Sequence, residues 1–355
     1  MASHFVLGLD LGGTKIAAGV VNSQGALFSC VRVPTPAQGV KKDLAALFDA
    51  AHAAAGAAEI PWGRIRAVGA GVPGAADPGD ESVWAPNLPG WKRIHLRHLL
   101  ESALRRPVFV ESDRNVQALA EAWLGFGKRG RVRNLVFLTV GTGIGAGLIS
   151  GGRLIPGVHG VAGAAGWMVI DRRWKPEYGR MGCFEALAAG PAVAKLGKRA
   201  WEQNRTSLIG RLATQVRDPK FKIQDSEPKT RFTPDFAGQR PVVTNPKFRI
   251  TAEVVAAAAR AGDKAARRTL EEVGTNLGLG VASIVALLNP EVVVLGGGLA
   301  GIGNLLLSPL RKAVRQWGQP LSRKQVRIVR SRLGEEAGIL GAARYALLRC
   351  SEEPL

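Results

Sequence analysis

Apolar and polar positions alternate with a period of two at the start of the chain, and glycines mark the points where the alternation stops. The apolar runs at residues 5–10, 14–21 and 26–33 are separated by Gly12-Gly13 and by the polar residues 22–25. A period of two bounded by glycine and asparagine predicts strands joined by tight turns. The opening therefore predicts a three-stranded β-meander.

The pattern then changes between the period of a helix and that of a strand. Strands are predicted over residues 65–70 and 108–110, and helices over residues 41–58 and 95–104 and after Ser112, whose hydroxyl suits an N-cap. A long loop rich in glycine, proline and aspartate precedes the second helix. Loops of this length in a compact domain are usually functional.

A second strand pair, residues 135–140 and 145–149, flanks another glycine turn and repeats the opening, which predicts a duplicated fold. Residues 195–249 are basic and polar without periodicity, so they read as an insertion or a subdomain boundary with no assigned structure. Helices dominate beyond them, interrupted by predicted strands at residues 291–295 and 326–329. This alternation of strands and helices predicts an α/β fold.

Length and composition narrow the class of protein. A chain of 355 residues exceeds one compact domain, so two lobes around a cleft are expected. No uninterrupted apolar run reaches the length of a membrane span, and the first strand begins too early for a signal peptide. The three cysteines, Cys30, Cys183 and Cys350, suggest neither a disulfide framework nor a cysteine zinc site. We therefore expect a cytoplasmic location.

The charge raises one further class of partner. A formal net charge of +20 and a pI near 10.7 bring nucleic acid or another polyanion into consideration. The basic residues are scattered, and they are not interleaved with the stacking aromatics that single-strand binders use. A solvated basic surface is therefore favoured over a nucleic-acid function.

The first glycine turn, in the segment Asp10-Leu11-Gly12-Gly13-Thr14-Lys15, has the chemistry of a phosphate site. Glycines let the backbone amides approach phosphate oxygens, where a Cβ would block the contact. Thr14 adds a hydroxyl. Asp10 ends its strand at the same place, where a carboxylate can hold Mg²⁺ through water.

Two further glycine turns complete a nucleotide site. Gly141-Thr142-Gly143 again places amides and a hydroxyl between two apolar strands, as a facing phosphate clamp requires. Gly296-Gly297-Gly298, between a strand and a helix, offers a flat backbone surface for adenine and ribose. Each turn alone is also typical of a simple hairpin, but three in this order favour nucleotide binding.

Together these motifs resemble the ROK group of sugar kinases, which is related to bacterial glucokinases within the actin, hexokinase and Hsp70 superfamily. The resemblance implies two actin-like (ribonuclease H-like) lobes, residues 1–120 and 121–355, with a basic insertion near residues 195–250 and a C-terminal helix packed back on the N-terminal lobe. It also implies a homodimer. The motifs that carry it are Gly8 to Lys15, Asn87-Leu88-Pro89-Gly90-Trp91, Ser112-Asp113-Arg114-Asn115, Gly141 to Gly145, Gly182-Cys183-Phe184-Glu185, Asn289-Pro290-Glu291, Gly296-Gly297-Gly298 and Glu336 to Ala343.

The resemblance implies transfer of the γ-phosphoryl group of ATP to a sugar hydroxyl, with Asp113 as the base. Asn87, Asp113 and Glu185 are expected to touch the sugar, and Ser112 stands where the family usually has an asparagine. Asp113 also reads as a carboxylate stabilised by the N-terminal dipole of a helix, and the two readings are compatible because that dipole keeps a base ionised.

The chain departs from the family pattern around Trp167. Where the family commonly shows Glu-x-Gly-His, this chain has Ala164-Ala165-Gly166-Trp167, and residues 171–178 replace the paired cysteines expected before Cys183. We therefore expect no zinc site. Trp167 either stacks on a sugar face or fills the space left by the metal, and burial of Trp167, Trp174 and Tyr178 is expected to replace the metal's cross-link.

These departures leave three functions open. They are an active kinase for a hexose or hexose derivative, a non-catalytic sugar-binding regulator, and a sugar kinase that uses polyphosphate. The family's regulators usually carry a DNA-binding helix-turn-helix ahead of the kinase-like region, whereas the first phosphate strand begins here at Phe5. The sequence therefore favours an ATP-dependent kinase acting on a small-molecule sugar.

Overall fold

Two five-stranded sheets organise the chain. The computed structural model describes residues 4–126, 132–215 and 249–351. The first sheet has the strand order β3-β2-β1-β4-β7 and the second the order β10-β9-β8-β11-β12, while β5 and β6 form a separate hairpin. The strands are β1 (Phe5–Leu11), β2 (Lys15–Asn22), β3 (Val31–Pro34), β4 (Ile65–Val72), β5 (Ala75–Ala76), β6 (Val83–Trp84), β7 (Val108–Ser112), β8 (Leu135–Val140), β9 (Ile144–Ser150), β10 (Arg153–Leu154), β11 (Val292–Gly296) and β12 (Arg327–Arg330).

The two sheets repeat one pattern of pairing. The central strand of each, β1 or β8, pairs antiparallel with the next strand along the chain and parallel with β4 or β11. The outer strands β3 and β10 continue the antiparallel side, and β7 and β12 continue the parallel side. The predicted α/β class and the predicted duplication are therefore confirmed.

Helices cover the sheets, and the longest helix, α9, lies in the apolar core that includes the second sheet. Helix α9 is capped by Asp263, whose Oδ1 accepts a hydrogen bond from the Ala266 amide at 2.8 Å. By length and mean hydropathy α9 is the one helix of the described ranges that could cross a membrane, yet much of it is buried among other helices. The helices are α1 (Val40–Ala57), α2 (Leu96–Leu104), α3 (Asp113–Trp123), α4 (Tyr178–Met181), α5 (Cys183–Ala188), α6 (Gly190–Gln203), α7 (Leu208–Gln215), α8 (Ala252–Arg260), α9 (Lys264–Leu288), α10 (Asn304–Trp317), α11 (Ser322–Gln325) and α12 (Ala337–Ser351).

Helix α12 packs on the first sheet and against α3. Glycines make this approach possible, because a Cβ at Gly8 or Gly69 would overlap the backbone oxygens of Ile339 or Ala342 on the helix. On its other side, a Cβ at Gly341 would overlap the carbonyl oxygen of Val116. The helix is therefore held between sheet and helix at backbone contact distance.

Three predictions about local structure need correction. The strand predicted over residues 26–33 covers only Val31–Pro34, because the Ser29 hydroxyl accepts a hydrogen bond from the Val20 amide of β2 and donates to the Ala54 carbonyl of α1. The long loop before α2 contains the β5–β6 hairpin. Residues 195–215 have no structure assigned from the sequence but form most of α6 and all of α7. The many lysines and arginines on the exposed face make the helical spacing of the apolar residues difficult to recognise. The rest of that segment, residues 216–248, lies outside the described residues.

Candidate functional site

Parallel strands bring two aspartates to one edge of the first sheet. Asp10 lies beside Gly71 of β4, and Gly71 lies beside Glu111 of β7. Asp113 follows β7 directly as the first residue of α3. Because the ends of parallel strands meet at the same edge, Asp10 and Asp113 are close enough for the charge of one to affect the other.

The Asp10 carboxylate is held in a poorly solvated position. The pKa of Asp10 is raised to about 7, chiefly by burial and also by the negative charge of Asp113, while the charge of Lys15 lowers it. The Nζ of Lys15 also bonds Oε1 of Glu335 at 2.9 Å. Behind Asp10, the backbone of Gly338 in α12 approaches so closely that a Cβ there would overlap the carboxylate. A cation near these oxygens would relieve the repulsion, so Asp10 fits the water-mediated Mg²⁺ role expected of it.

The Asp113 carboxylate lies at the N-terminus of α3. Its Oδ1 accepts a hydrogen bond from the Arg114 amide at 2.7 Å. Burial raises the pKa of Asp113, while that hydrogen bond and the charge of Arg114 lower it. A carboxylate in this setting can accept a proton from a hydroxyl group that lies beside it.

The first glycine turn is fixed by Thr35, a residue that the sequence analysis missed. The Gly12 amide donates to the Lys15 carbonyl at 2.8 Å, and the Thr35 hydroxyl donates to the Gly12 carbonyl at 2.7 Å. The Thr35 amide bonds the Thr14 carbonyl at 3.0 Å. A Cβ at Gly13 would meet nothing within 4 Å, so this backbone faces open space. The turn is thus rigid at its base and accessible at its tip.

The second and third glycine turns lie side by side. Gly296 pairs with Thr139 across the second sheet, and a Cβ at Gly141 would lie 3.9 Å from the Gly298 amide nitrogen. The Gly141 carbonyl accepts from the Gly190 amide at 2.7 Å, which links the second turn to the start of α6. The two turns and α6 therefore share one backbone-lined surface, as binding of a nucleotide requires.

Glu185 supports the second turn from α5. Its Oε2 accepts a hydrogen bond from the Ile144 amide at 2.7 Å, and a Cβ at Gly143 would lie 2.6 Å from the same oxygen. Burial raises the pKa of Glu185, and the Ile144 hydrogen bond lowers it. One carboxylate oxygen of Glu185 is thus hydrogen-bonded to the second turn. This bond connects a candidate sugar ligand with a candidate phosphate-binding turn.

The other candidate sugar ligands differ in placement. Asn87 is exposed on a loop in which Leu88 and Trp91 are both buried. Ser112 occupies the N-cap position of α3, as expected, but its hydroxyl makes no capping bond because the Arg114 amide bonds Asp113 instead. The Ser112 Oγ is buried without a hydrogen-bond partner.

Trp167 corrects a second expectation. Its side chain is 57% exposed and that of Trp174 is 73% exposed, so neither fills the space left by a metal or cross-links the loop by burial. The loop is held by polar contacts instead: Asp171 Oδ2 accepts from Lys175 Nζ at 3.1 Å and from the Tyr178 hydroxyl at 3.0 Å. Tyr178 alone of the three expected aromatic residues is buried.

Cys183 is buried beside backbone groups of this loop. Its thiol lies 3.5 Å from the Ile170 amide and 4.0 Å from the Asp171 carbonyl. Across residues 4–126, 132–215 and 249–351, no group of three or more histidine, cysteine, aspartate or glutamate side chains is placed to hold a metal ion. Trp167, at the position of the family's histidine, has no nitrogen lone pair to offer.

The sequence analysis also missed three charged residues on or beside α3. Glu111 Oε1 accepts from the Ser112 amide at 2.7 Å and from Asn115 Nδ2 at 3.0 Å. Glu121, fully buried, accepts at 2.5 Å from the hydroxyl of Ser331, which follows β12. Arg114 bonds two loop carbonyls. The only available signal was that all three stand on one short segment around Asp113.

Known sugar kinases are similar to this chain in sequence and in fold. A model of the ROK family matches residues 6–348. The glucokinase of Streptomyces coelicolor is 32% identical over 347 residues, which cover 96% of each chain. The ROK hexokinase of Thermus thermophilus is 34% identical, covers 98% of this chain and all of its own, and superposes with a TM-score of 0.73.

A second solved structure carries ligands. The ROK family glucokinase of Streptomyces griseus, solved in complex with glucose and AMPPNP, is 29% identical, with a TM-score of 0.73 over 97% of this chain and 99% of its own. The two structural matches confirm the expected actin-like fold. From the family match across nearly the whole length, the motifs in their expected order and the shared fold, we conclude that the chain belongs to the ROK family.

Proposed function

We propose that the protein is an ATP-dependent sugar kinase that transfers the γ-phosphoryl group to a hydroxyl of a hexose or hexose derivative. The observation that carries the proposal is the pair formed by Asp113 at the start of α3 and Asp10 at the same sheet edge. Similarity to named glucokinases and to a glucokinase bound to glucose and AMPPNP supports both the reaction and the nucleotide.

Each residue has a distinct part in the proposed reaction. The oxygen of the sugar hydroxyl attacks the γ-phosphorus while Asp113 accepts the hydroxyl proton. ADP is the leaving group. The amides at Gly12-Gly13 and at Gly141 to Gly143 orient the phosphates, and Gly296 to Gly298 support the nucleoside. Asp10 would hold Mg²⁺ through its water ligands, and the ion would supply positive charge to the phosphates.

The sugar pocket in this proposal differs from the family pattern. Asn87, Ser112 and Glu185 provide polar contacts, while Ala164 and Trp167 stand where the family has a carboxylate and an imidazole. Trp167 is exposed and therefore free to stack on a sugar face. We infer that the substrate is a hexose or a hexose derivative, and hexoses, amino sugars and their N-acetyl forms are the class to test.

Three finer points belong to the same proposal. The enzyme requires Mg²⁺ but no zinc, acts in the cytoplasm, and works as a homodimer. Its partners are small molecules, and neither a membrane nor nucleic acid takes part. The metal dependence of turnover tests the first point, and measurement of the protein's size in solution tests the third.

A screen for ADP release over hexoses, amino sugars and their N-acetyl forms tests the proposal. We expect turnover with at least one sugar, and at least a 10²-fold lower kcat in Asp113→Asn, because a positioned base contributes about 10²- to 10⁴-fold in rate. Sugar and ATP binding should stay within tenfold, since the amide keeps the shape of the carboxyl. Sugar binding without turnover in the unaltered protein would instead identify a regulator.

A further inference from the structure

The Arg114 side chain connects two loops beside Asp113. Its Nη1 donates to the Gly74 carbonyl at 3.0 Å and its Nη2 to the Gly160 carbonyl at 3.0 Å. Gly74 follows β4 of the first sheet, and Gly160 follows β10 of the second. The planar guanidinium therefore joins segments that belong to the two different sheets.

The same two loops also touch each other. A Cβ at Gly160 would overlap the Ala76 carbonyl, so the backbones are in contact at this point. His159 Nδ1 lies 3.9 Å from Asp77 Oδ2, again between the two loops. Because a Cβ at Gly74 would overlap the Trp84 carbonyl, the first loop also rests on the segment that leads to Asn87. Arg114 is thus connected through Gly74 to the segment that precedes the candidate sugar ligand Asn87.

Arg114 is a costly residue to place here. Burial lowers the pKa of its guanidinium, and the charges of Asp113 and Glu111 raise it. Its Nε is buried without a hydrogen-bond partner, and its aliphatic stem passes Gly145, where a Cβ would lie 3.3 Å from Cδ. A half-buried cation with both of its terminal nitrogens on carbonyl oxygens, and no carboxylate hydrogen-bonded to its side chain among the described residues, fits a role in fixing backbone.

We propose that Arg114 is a positioning residue that fastens the loops around Gly74 and Gly160 to the helix bearing Asp113, and so fixes the wall of the acceptor pocket. This inference rests on the proposed function. It acts through the loops and requires no contact between Arg114 and the substrate. An arginine suits the task because its fork reaches two carbonyls at once, whereas a lysine offers a single ammonium.

Steady-state kinetics of Arg114→Met and Arg114→Lys test the effect on the pocket. We expect the KM for the sugar to rise at least tenfold in Arg114→Met and the KM for ATP to stay within threefold. The sugar KM of Arg114→Lys should lie between those of the unaltered protein and Arg114→Met. Arg133→Met is the control, because Arg133 Nη2 also bonds a loop carbonyl, that of Gly151 at 2.9 Å, at an exposed position. Equal increases in both KM values, or an unchanged sugar KM, would overturn the inference.

Hydrogen exchange separates this inference from the proposed function. The Asp77 amide bonds Ser82 at 2.9 Å and the Ala162 amide bonds Pro156 at 3.0 Å, so both loops contain amides that should be protected. We expect Arg114→Met and Arg114→Lys to exchange faster in these loops only. If the unaltered protein phosphorylates no sugar, the proposed function fails, and this measurement still decides whether Arg114 fastens the loops. Unchanged exchange would refute the fastening.

Discussion

At the scale of single residues, Asp10 shows a conflict between stability and chemistry. Its carboxylate is poorly solvated, faces the negative charge of Asp113, and receives only partial compensation from Lys15. Such an arrangement disfavours the charged form in the empty protein. In the proposed reaction the same repulsion favours binding of a cation together with the nucleotide.

Asp10→Asn should therefore stabilise the protein at neutral and alkaline pH. The pKa of Asp10 is about 7 in the folded protein and near 3.8 in the unfolded chain, so ionisation costs stability increasingly from about pH 4 upwards and fully above pH 7. We expect the melting temperature of Asp10→Asn to exceed that of the unaltered protein by a few degrees at pH 8 and to match it near pH 4.

Thermal unfolding in a chelator-containing buffer measures this difference without bound Mg²⁺. The exposed Asp49 supplies the control variant Asp49→Asn. A difference in melting temperature that does not change with pH would contradict the account of Asp10. Loss of turnover in Asp10→Asn should accompany the gain in stability.

At the scale of elements, α12 depends on glycines that permit backbone contact. A Cβ at Gly341 would overlap a backbone oxygen of α3, and backbone atoms cannot move aside as a side chain does. A Cβ at Gly338 would overlap the side-chain carboxylate of Asp10. Helix α12 therefore packs closely against the first sheet, against α3 and against Asp10 of the candidate site.

Gly341→Ala should destabilise the protein by about 1–3 kcal/mol, the usual cost of overpacking. Gly56→Ala is the matched control, because Gly56 lies in α1 and a Cβ there would meet nothing within 4 Å. That control should be neutral or stabilising by up to about 1 kcal/mol, since alanine favours the helix. Urea unfolding of both variants makes the comparison, and equal stabilities would show that α12 adapts.

The stability of the loop around Tyr178 should depend on its polar contacts and not on a metal ion. Tyr178→Phe removes the hydroxyl that bonds Asp171 and should cost about 1 kcal/mol of stability. Because the pKa of Asp171 is lowered to about 2, these contacts should persist down to roughly pH 3–4 and weaken only as the pH falls towards 2. A chelator should leave the melting temperature unchanged. Stoichiometric zinc in elemental analysis would contradict this account.

The sequence predicted elements well where the determinants are local. The turns at Gly12, Gly141 and Gly297 follow from residues within a few positions, and the fold class follows from the periodicity. Glu121 escaped prediction because its partner Ser331 is remote in sequence and an acidic residue on a helix is normally exposed. For Trp167 the sequence left open stacking on a sugar or filling the space left by the metal, and only the tertiary structure shows that it is exposed.

At the scale of the whole molecule, the net charge of +20 calls for an explanation that the site does not provide. Many of the basic groups are exposed, and Lys15, beside the first turn, is already paired with Glu335. Charge of this kind attracts anions without selecting among them, and salt screens it over about 10 Å. The glycine surface at Gly296 to Gly298, in contrast, suits a nucleoside.

ATP should therefore be a better phosphoryl donor than inorganic polyphosphate. We expect kcat/KM with ATP to exceed that with polyphosphate at least tenfold with the same sugar, and any polyphosphate activity to fall steeply with added salt. Measuring both donors at low and physiological ionic strength makes the test. A higher kcat/KM with polyphosphate would identify the basic surface as a donor site.

The contact between Gly8 and Ile339 has a consequence for how the protein is made. A ribosome delivers β1 early and α12 after all the other described elements, so the first sheet emerges without the helix that covers it. Contacts this remote in sequence form slowly. Nascent chains of this protein should accordingly keep an apolar sheet face uncovered until α12 emerges, and chaperones bind surfaces of this kind. The aspartate at position 10 reaches its final surroundings only after α12 has been synthesised.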